Sequence, residues 1–456
     1  MMRILNVAAS GAVVALALLF CVYPAVIVGV LLTDSKLKNE GQSRLVPMWF
    51  RSLAGRYASW ADGYLKTGYA KAVDKTDVAG TEWPMFGSVY FLVTADELQR
   101  QGFIDARQGK VRRAVDRAVE VVVSPDTASW VKEKWGDAYL TRENVFYRML
   151  LILGLSSYER ITRDSRHRTL MSAQRKGLAA ELERSRHQVL DDYPGECWPN
   201  DVLWSVAAIQ RAAALEGTNH NALARALMAA LEGPLSVDGL PAYKVDKDSG
   251  QVYERPRGCG NSGILSFAAE LDPEIAARWY RLYEARFWKR NMWLGGFSEW
   301  PRGSPATYSD VDSGPVAFGF GSVASAFGIG AAKSVGRMDH ASTLTLEAVA
   351  CSWPTPFGFL LPSAMGKVAV GGGCLAETAL LFSMTRPNRA ARTVRFEGPV
   401  PLLVWIMFAA YAGTGAVFLG TEIRAWRRYF AARKEQTPLT MSAGETPVPP
   451  ETRRVK

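Results

Sequence analysis

Histidine is nearly absent from this chain. His167, His187, His220 and His340 are the only four in 456 residues, and none falls in the stretches that concentrate acids and tryptophans. A Ser-His-Asp triad and a histidine-bound metal are therefore poor explanations for any chemistry here. Cysteine is almost as sparse. Five are present, with no CxxC pair and no HExxH, so a zinc site has no spacing to rest on. Cys21 falls in an apolar run, leaving Cys197, Cys259, Cys351 and Cys374, which leave open one or two disulfides or free buried thiols. Strand-like alternation is scarce as well, which points away from an all-β body.

Charge is missing from two long stretches. Ile4 to Leu32 carries none, long enough to cross a hydrocarbon layer of roughly 30 Å. A cleaved signal peptide would have a shorter apolar region, about 7–15 residues, and a small-residue cleavage site. The run therefore reads as an uncleaved anchor. Gly398 to Thr421 is the second uncharged stretch, and Arg424, Arg427, Arg428, Arg433 and Lys434 follow it. The positive-inside rule puts that tail, and the short N-terminus, in the cytoplasm of a bacterial cell. The body then lies in the periplasm or outside the cell. Arg386, Arg389, Arg392 and Arg395 flank the same span on its other side and weaken the bias. The expected organisation is an anchor over 1–33, a body over 34–397, a second span over 398–421, and a basic tail over 422–456 that is disordered from Gln436. The net charge of +10 partly reflects the juxtamembrane cluster. Lipid headgroups account for it better than nucleic acid, for which no aromatic–basic motif appears.

What is present is helical periodicity. Apolar spacing near 3.6 recurs over Val145–Tyr158, Val202–Leu215, Ile264–Ala269, Val316–Ala332 and Val368–Phe382. Polar amphipathic stretches such as 170–190 lie between them. Inner helices are expected to begin near Trp83, Glu143, Pro199, Asn261, Ser313 and Pro362, about fifty to sixty residues apart. Each interval fits an inner helix, an outer helix and their loops. Six such hairpins make a mainly α fold, an (α/α)6 toroid, with a helical solenoid as the competing architecture. In a toroid the loops entering the inner helices face one cavity and supply the chemistry.

Unusual residues cluster at those loops. Glu82 and Trp83 precede Pro84, as an acid and a stacking platform, or as a dipole complement and a core residue. Asn144 and Tyr147 lie three apart on one helical face and suit a hydroxylated ligand, or a cap and a buried tyrosine. Gly195-Glu196-Cys197-Trp198-Pro199-Asn200-Asp201 joins a turn to a helix whose first position takes Pro199. Glu196, Trp198 and Asp201 are together more than a cap needs. Arg257 stands beside a glycine-rich turn, able to hold an anionic or hydroxyl-rich ligand or to pair with acids. Leu240 to Gly250 reads as a short hairpin over the rim. Trp300 and Arg302 precede Asp310-Val311-Asp312-Ser313-Gly314-Pro315. In an extended segment Asp310 and Asp312 share a side, and carboxylates that close perturb each other. A pairing of Asp310 with Arg302 is the alternative.

The order of these motifs over residues 80 to 385 resembles a group of bacterial membrane-anchored proteins with six-hairpin toroid bodies. More distantly the body is similar to six-hairpin glycosidases, which use acids at inner-helix ends. It also resembles linalool dehydratase-isomerase, whose Cys-x-Pro-Asn stretch is similar to Cys197-Trp198-Pro199-Asn200. That enzyme relies on a second cysteine nine residues later, where this chain has Val206. The resemblance implies a membrane-anchored, glycosidase-like enzyme acting on an envelope or exported glycan. Asp312 and Glu196 are expected to share the acid and base roles, in either order, tuned by Asp201 and Asp310. Trp83, Trp198 and Trp300 are expected to stack on sugars, and Arg257 and Arg302 to bind hydroxyl or acidic groups. A dehydratase or isomerase of a small alcohol would instead use Cys197, Tyr147 and Asp312. A toroid that only binds glycan or protein is the third reading. None requires a metal or cofactor; the expected partners are the bilayer and a glycan or other small molecule.

Overall fold

The structure, a computed structural model, describes residues 2–306, 308–368 and 373–435. It is mainly α-helical, with five two-stranded antiparallel ribbons among the described residues. Six helices form the inside of the body: Trp83–Arg100, Val145–Thr162, Pro199–Leu215, Gly258–Leu271, Ser322–Ser334 and Leu375–Thr385. Each packs against the next, and the last packs back on the first, a closed helical arrangement. The close approach of that last pair depends on Gly87. A Cβ there would sit 3.3 Å from the backbone of Leu375.

Outer helices return along the inner ones. Gly109–Val123, Arg168–Arg184, Asn221–Glu232, Pro273–Phe287 and Met338–Cys351 each follow and pack on an inner helix, while Val46–Thr67 covers the gap beside Gly109–Val123. Gly109–Val123 shows why: Val111, Ala114, Val115, Ala118 and Val122 recur at helical spacing and are buried, while its arginines face out.

The middle of the body is an aromatic plug with a ring from every inner helix. Trp204 lies 4.7 Å from Phe267 and 5.7 Å from Phe382, and Tyr90 lies 4.7 Å from Phe382 and 5.7 Å from Phe327. Phe86 joins them to Phe146 at 5.5 Å. Below the plug, toward the C-terminal ends of the inner helices, lies a buried ionic cluster. Arg211 and Arg386 both bridge Glu97 and Glu270, at 2.6–3.2 Å. Arg386 also covers the rings of Phe267 and Phe382.

Two of the expected helix starts move. Ser313 does not begin a helix, and Val316–Ala332 is not one helical run. Val316–Ala317 pairs with Phe320–Gly321 as a hairpin whose tip, Phe318 and Gly319, has positive φ, and the helix starts only at Ser322. Pro362 lies in a short helix, Leu360–Val368, outside the inner set, and the sixth inner helix starts at Leu375. The stretch 369–372 and the tail from Gln436 lie outside the described residues. The expected rim hairpin is present as Lys244–Val245 paired with Val252–Glu254.

Two terminal helices are long and apolar enough to cross a membrane: Ala8–Thr33 and Leu402–Ala431. The second continues as one helix through the basic residues to Glu435. Its Gly415 lies against Cys21 and Val22 of the first, so the two spans pack together. All five cysteines are free thiols.

Trp204→Ala should cost about 3–5 kcal/mol of stability, because it empties the plug and removes the indole hydrogen bond to the Gly263 carbonyl, 2.8 Å long. Denaturant unfolding in detergent should show this, with Arg107→Ala on the surface within about 0.5 kcal/mol of wild type as reference.

Candidate functional site

The N-terminal ends of the inner helices gather the acids. Glu82 immediately precedes Trp83–Arg100, Asp201 lies in the first turn of Pro199–Leu215, and Asp312 lies on the loop before Ser322–Ser334. These three carboxyls share one electrostatic neighbourhood. Burial, the field of Asp312 and that of Glu82 raise Asp201 to about 7. Burial also raises Glu82 to about 7, with Asp312 adding to the shift and a hydrogen bond from the Tyr193 hydroxyl opposing it. A helix N-terminus favours a carboxylate by at most ~2 kcal/mol. A rise of roughly three units at Asp201 is on the order of 4 kcal/mol the other way, so desolvation wins. Asp312 is exposed and Asp201 and Glu82 are half-buried, so the carboxyl cluster opens at the surface, and that opening is the carboxyl mouth.

Local sequence explains each placement. Pro194-Gly195 turns the chain, with Gly195 at positive φ and the Glu196 amide donating to the Tyr193 carbonyl at 2.8 Å. Pro199 then starts the helix without a missing hydrogen bond. Asn200 donates to Asp201 at 3.0 Å and packs so close to Gly263 that a Cβ there would lie 2.3 Å from its amide oxygen. Gly258 likewise has no room for a side chain, because a Cβ would fall 2.2 Å from the Ser298 carbonyl.

The loop bearing Asp310 and Asp312 is held by Arg257. This buried guanidinium donates to Glu299 at 2.8 Å and pairs with Asp310 at 2.8 Å. Its plane lies 4.4 Å from the ring of Tyr243 and 4.7 Å from that of Trp300. Residues 311–313 form a turn, so the extended geometry expected for the two aspartates does not occur. Asp310 goes to Arg257, not to Arg302, whose side chain reaches the Trp288 carbonyl. Burial alone would raise Asp310, but the Ser313 amide and Arg257 overcome it and hold the carboxyl below its ordinary range. Asp312 instead accepts a hydrogen bond from the Tyr243 hydroxyl at 2.6 Å.

The remaining expected residues divide. Glu196 sits at the rim, 43% exposed and paired with Lys244 at 3.1 Å; Lys244 also lies 5.0 Å from the ring of Trp198. Trp198 stands edge-on to Tyr193, and Trp300 bonds the Tyr308 carbonyl. Trp83 is half-buried. Asn144 bonds the Tyr139 carbonyl, and Tyr147 packs between Tyr139 and Trp130. That pair is therefore turned into the shell around the Val145 helix. Cys197 is fully buried; burial, then the fields of Asp192, Asp191 and Asp201, push its thiol well above the ordinary value.

Asp192 was not singled out in the sequence. It is fully buried, accepts the Trp198 amide at 2.9 Å, and is pushed well above the carboxylate range by burial and by Asp201. Tyr193, Tyr243 and Glu299 complete the set that sequence reasoning did not weigh as site residues. Among the described residues no group of three His, Cys, Asp or Glu side chains is arranged to hold a metal. A cavity of about 330 Å³ does exist at the opposite end, lined by Arg100, Arg160, Arg211, Glu270 and Arg389. Arginines outnumber acids there, and Arg211 and Arg386 overcome burial and hold Glu270 at about 2. Burial and the field of Arg386 lower Lys333 at the same end to about 7, so each end of the body holds a group shifted toward neutrality, and only the carboxyl end gathers acids that do so.

The chain matches no protein-family model and no curated protein.

The raised value of Asp201 has a stability consequence. Its folded value, about 7, exceeds the ordinary 3.8. The stability it allows is present below pH 3.8 and is lost as pH rises through 7. Asp201→Asn should therefore stabilise the protein by a few kcal/mol at pH 8, and the gain should vanish toward pH 4. Denaturant midpoints across that range provide the measurement.

Proposed function

We propose that the body, residues 34–397, is an (α/α)6 toroid and that the protein is a membrane-anchored glycoside hydrolase-like enzyme of the bacterial envelope. The closed succession of six inner helices supports the fold. The observation that carries the function is one pair of protonatable carboxyls, Asp201 and Glu82, both raised to about 7, beside the Asp312 carboxylate. An acid poised near neutral pH next to a second carboxylate is what glycoside hydrolysis needs.

In this mechanism Asp201 protonates the leaving oxygen as the glycosidic C–O bond breaks. Asp312 takes a proton from water, whose oxygen bonds to the anomeric carbon from the opposite face. The proton lost by the acid is thus regained through the base. Tyr243 orients Asp312, and Glu82 helps keep Asp201 protonated. Glu196, earlier the expected partner of Asp312, becomes a rim residue because Lys244 engages it. Trp198 and Trp300 flank the mouth as sugar platforms. Asp310 and Arg257 hold the loop.

The body is read as lying outside the cytoplasm. The objection from Arg386 weakens, because that side chain is buried and paired with Glu97 and Glu270 and is not a free flanking charge. Arg424, Arg427 and Arg428 remain on the other side of the second span.

Reducing-sugar release from purified envelope glycans tests the activity. Asp201→Asn and Asp312→Asn should each lower it about 10²–10⁴-fold, while Glu196→Gln changes it only a few-fold. Equal release by wild type and the two aspartate variants would sink the glycosidase reading.

A further inference from the structure

The carboxyl mouth and the membrane spans are connected by one helix, Met338–Cys351. Near its beginning, Ser342 bonds the carbonyl of Leu37, just past the end of the first span, at 2.7 Å. Just beyond its other end, the Trp353 indole bonds the carbonyl of Phe20, well inside that span, at 2.8 Å. Tyr411 of the second span bonds the Ala350 carbonyl at 2.8 Å. The helix therefore runs along the spans, and its Cys351 end is the one nearer their membrane-crossing halves. It packs as the return partner of Ser322–Ser334, joined by a short turn. The start of Ser322–Ser334, with the Asp312 loop, consequently lies at the same end as Cys351.

Burial along the spans agrees. Ile27, Val28, Leu31 and Val404 are buried against the body, whereas Leu16, Leu18, Val417 and Phe418 are exposed. Length then decides how close the bilayer comes. From Tyr411 to the first charge, Glu422, is about eleven residues, or ~16 Å of helix, against roughly 30 Å of hydrocarbon. The rest of that thickness has to lie beside the body. Exposed apolar residues occur there on separate loops: Phe357, 65% exposed, with Leu360 and Leu361 after it, and Met292 and Trp293, whose carbonyls accept the Leu402 and Leu403 amides. Phe318, 94% exposed, stands on the Asp312 loop itself. Single exposed apolar side chains are ordinary, but the Phe357 and Met292–Trp293 loops stand beside the two spans, and the Phe318 tip lies at the same end of the body, with Lys289 next to it.

We propose that the carboxyl mouth faces the bilayer and that its substrate is a glycan carried on a lipid, its head entering the mouth while its tail stays in the membrane. This rests on the hydrolase reading for the glycan and on span geometry alone for the lipid. The test uses the full chain in phosphatidylethanolamine–phosphatidylglycerol vesicles doped with a polyprenyl-diphosphate-linked disaccharide. p-Benzoylphenylalanine is installed at position 318, at 357, or at 219, on an exposed loop at the opposite end. Irradiation should give lipid adducts at 318 and 357 at least tenfold above 219, with the polyprenyl glycan over-represented at 318 relative to its share of lipid. Adducts at 318 no more frequent than at 219 would overturn the orientation. Polyprenyl adducts at 318 merely proportional to its abundance would overturn the substrate class. Neither result depends on turnover, so a failed sugar-release assay removes the hydrolase reading without touching this geometry.

Discussion

The aromatic plug is the constraint on which the rest of the body depends. Every inner helix contributes a ring to it, so aromatic side chains fill the centre of the helical arrangement. Filling the centre desolvates whatever stands directly above or below. Above it, neither Asp201 nor Glu82 has an ion pair among the described residues, and both are pushed up to about 7, with the field of Lys134 opposing the rise at Glu82. Below it, Glu97 and Glu270 face the same loss of water, but Arg211 and Arg386 compensate, and their carboxyls are lowered. One physical cost thus has two outcomes: at Glu97 and Glu270 the arginine fields outweigh it, and at Asp201 and Glu82 no opposing field does. One end carries a buried ionic cluster, and the other keeps carboxyls that hold protons near neutrality.

Arg257 does for the long loop what the plug does for the helices. Its guanidinium has aromatic rings on its faces and acids around its edge, so the segment from Glu299 to Asp310 is tied to the start of Gly258–Leu271. With Asp310 consumed by that pairing, Asp312, two residues on, is left to Tyr243. Two aspartates that look equivalent therefore separate, Asp310 to Arg257 and Asp312 to the Tyr243 hydroxyl, because a turn rather than a strand carries them.

Much of the fold was legible from the sequence. Pro84 and Pro199 mark helix starts by chemistry that burial does not alter, and those starts fall where periodicity puts them. The fifth start was misjudged because Phe318-Gly319 turns a short hairpin at positive φ, an arrangement that apolar periodicity does not report. The site was legible by location and not by rank. Asp201 ranked as a tuning residue behind Asp312 and Glu196, because its degree of burial is set by the three-dimensional plug and not by its neighbours in the chain. Glu196 looked stronger because Lys244, forty-eight residues away, is not visible as its partner. Asp192 was missed because Asp191-Asp192-Tyr193-Pro194-Gly195 reads as a turn. Its one sequence signal is a second acid immediately before a tight turn that feeds a proline-started helix.

The perturbation of Asp201 and Glu82 is a property of the fold: burial is its largest cause, and the field of Asp312 adds to it. The Met338–Cys351 helix ties that fold to the apolar terminal helices, through Ser342 to the Leu37 carbonyl and through the Ala350 carbonyl to the Tyr411 hydroxyl. Tilting the body relative to a bilayer would leave the plug, and with it the perturbation, intact. In the proposed orientation the membrane therefore selects which molecules reach the acids and does not set their protonation.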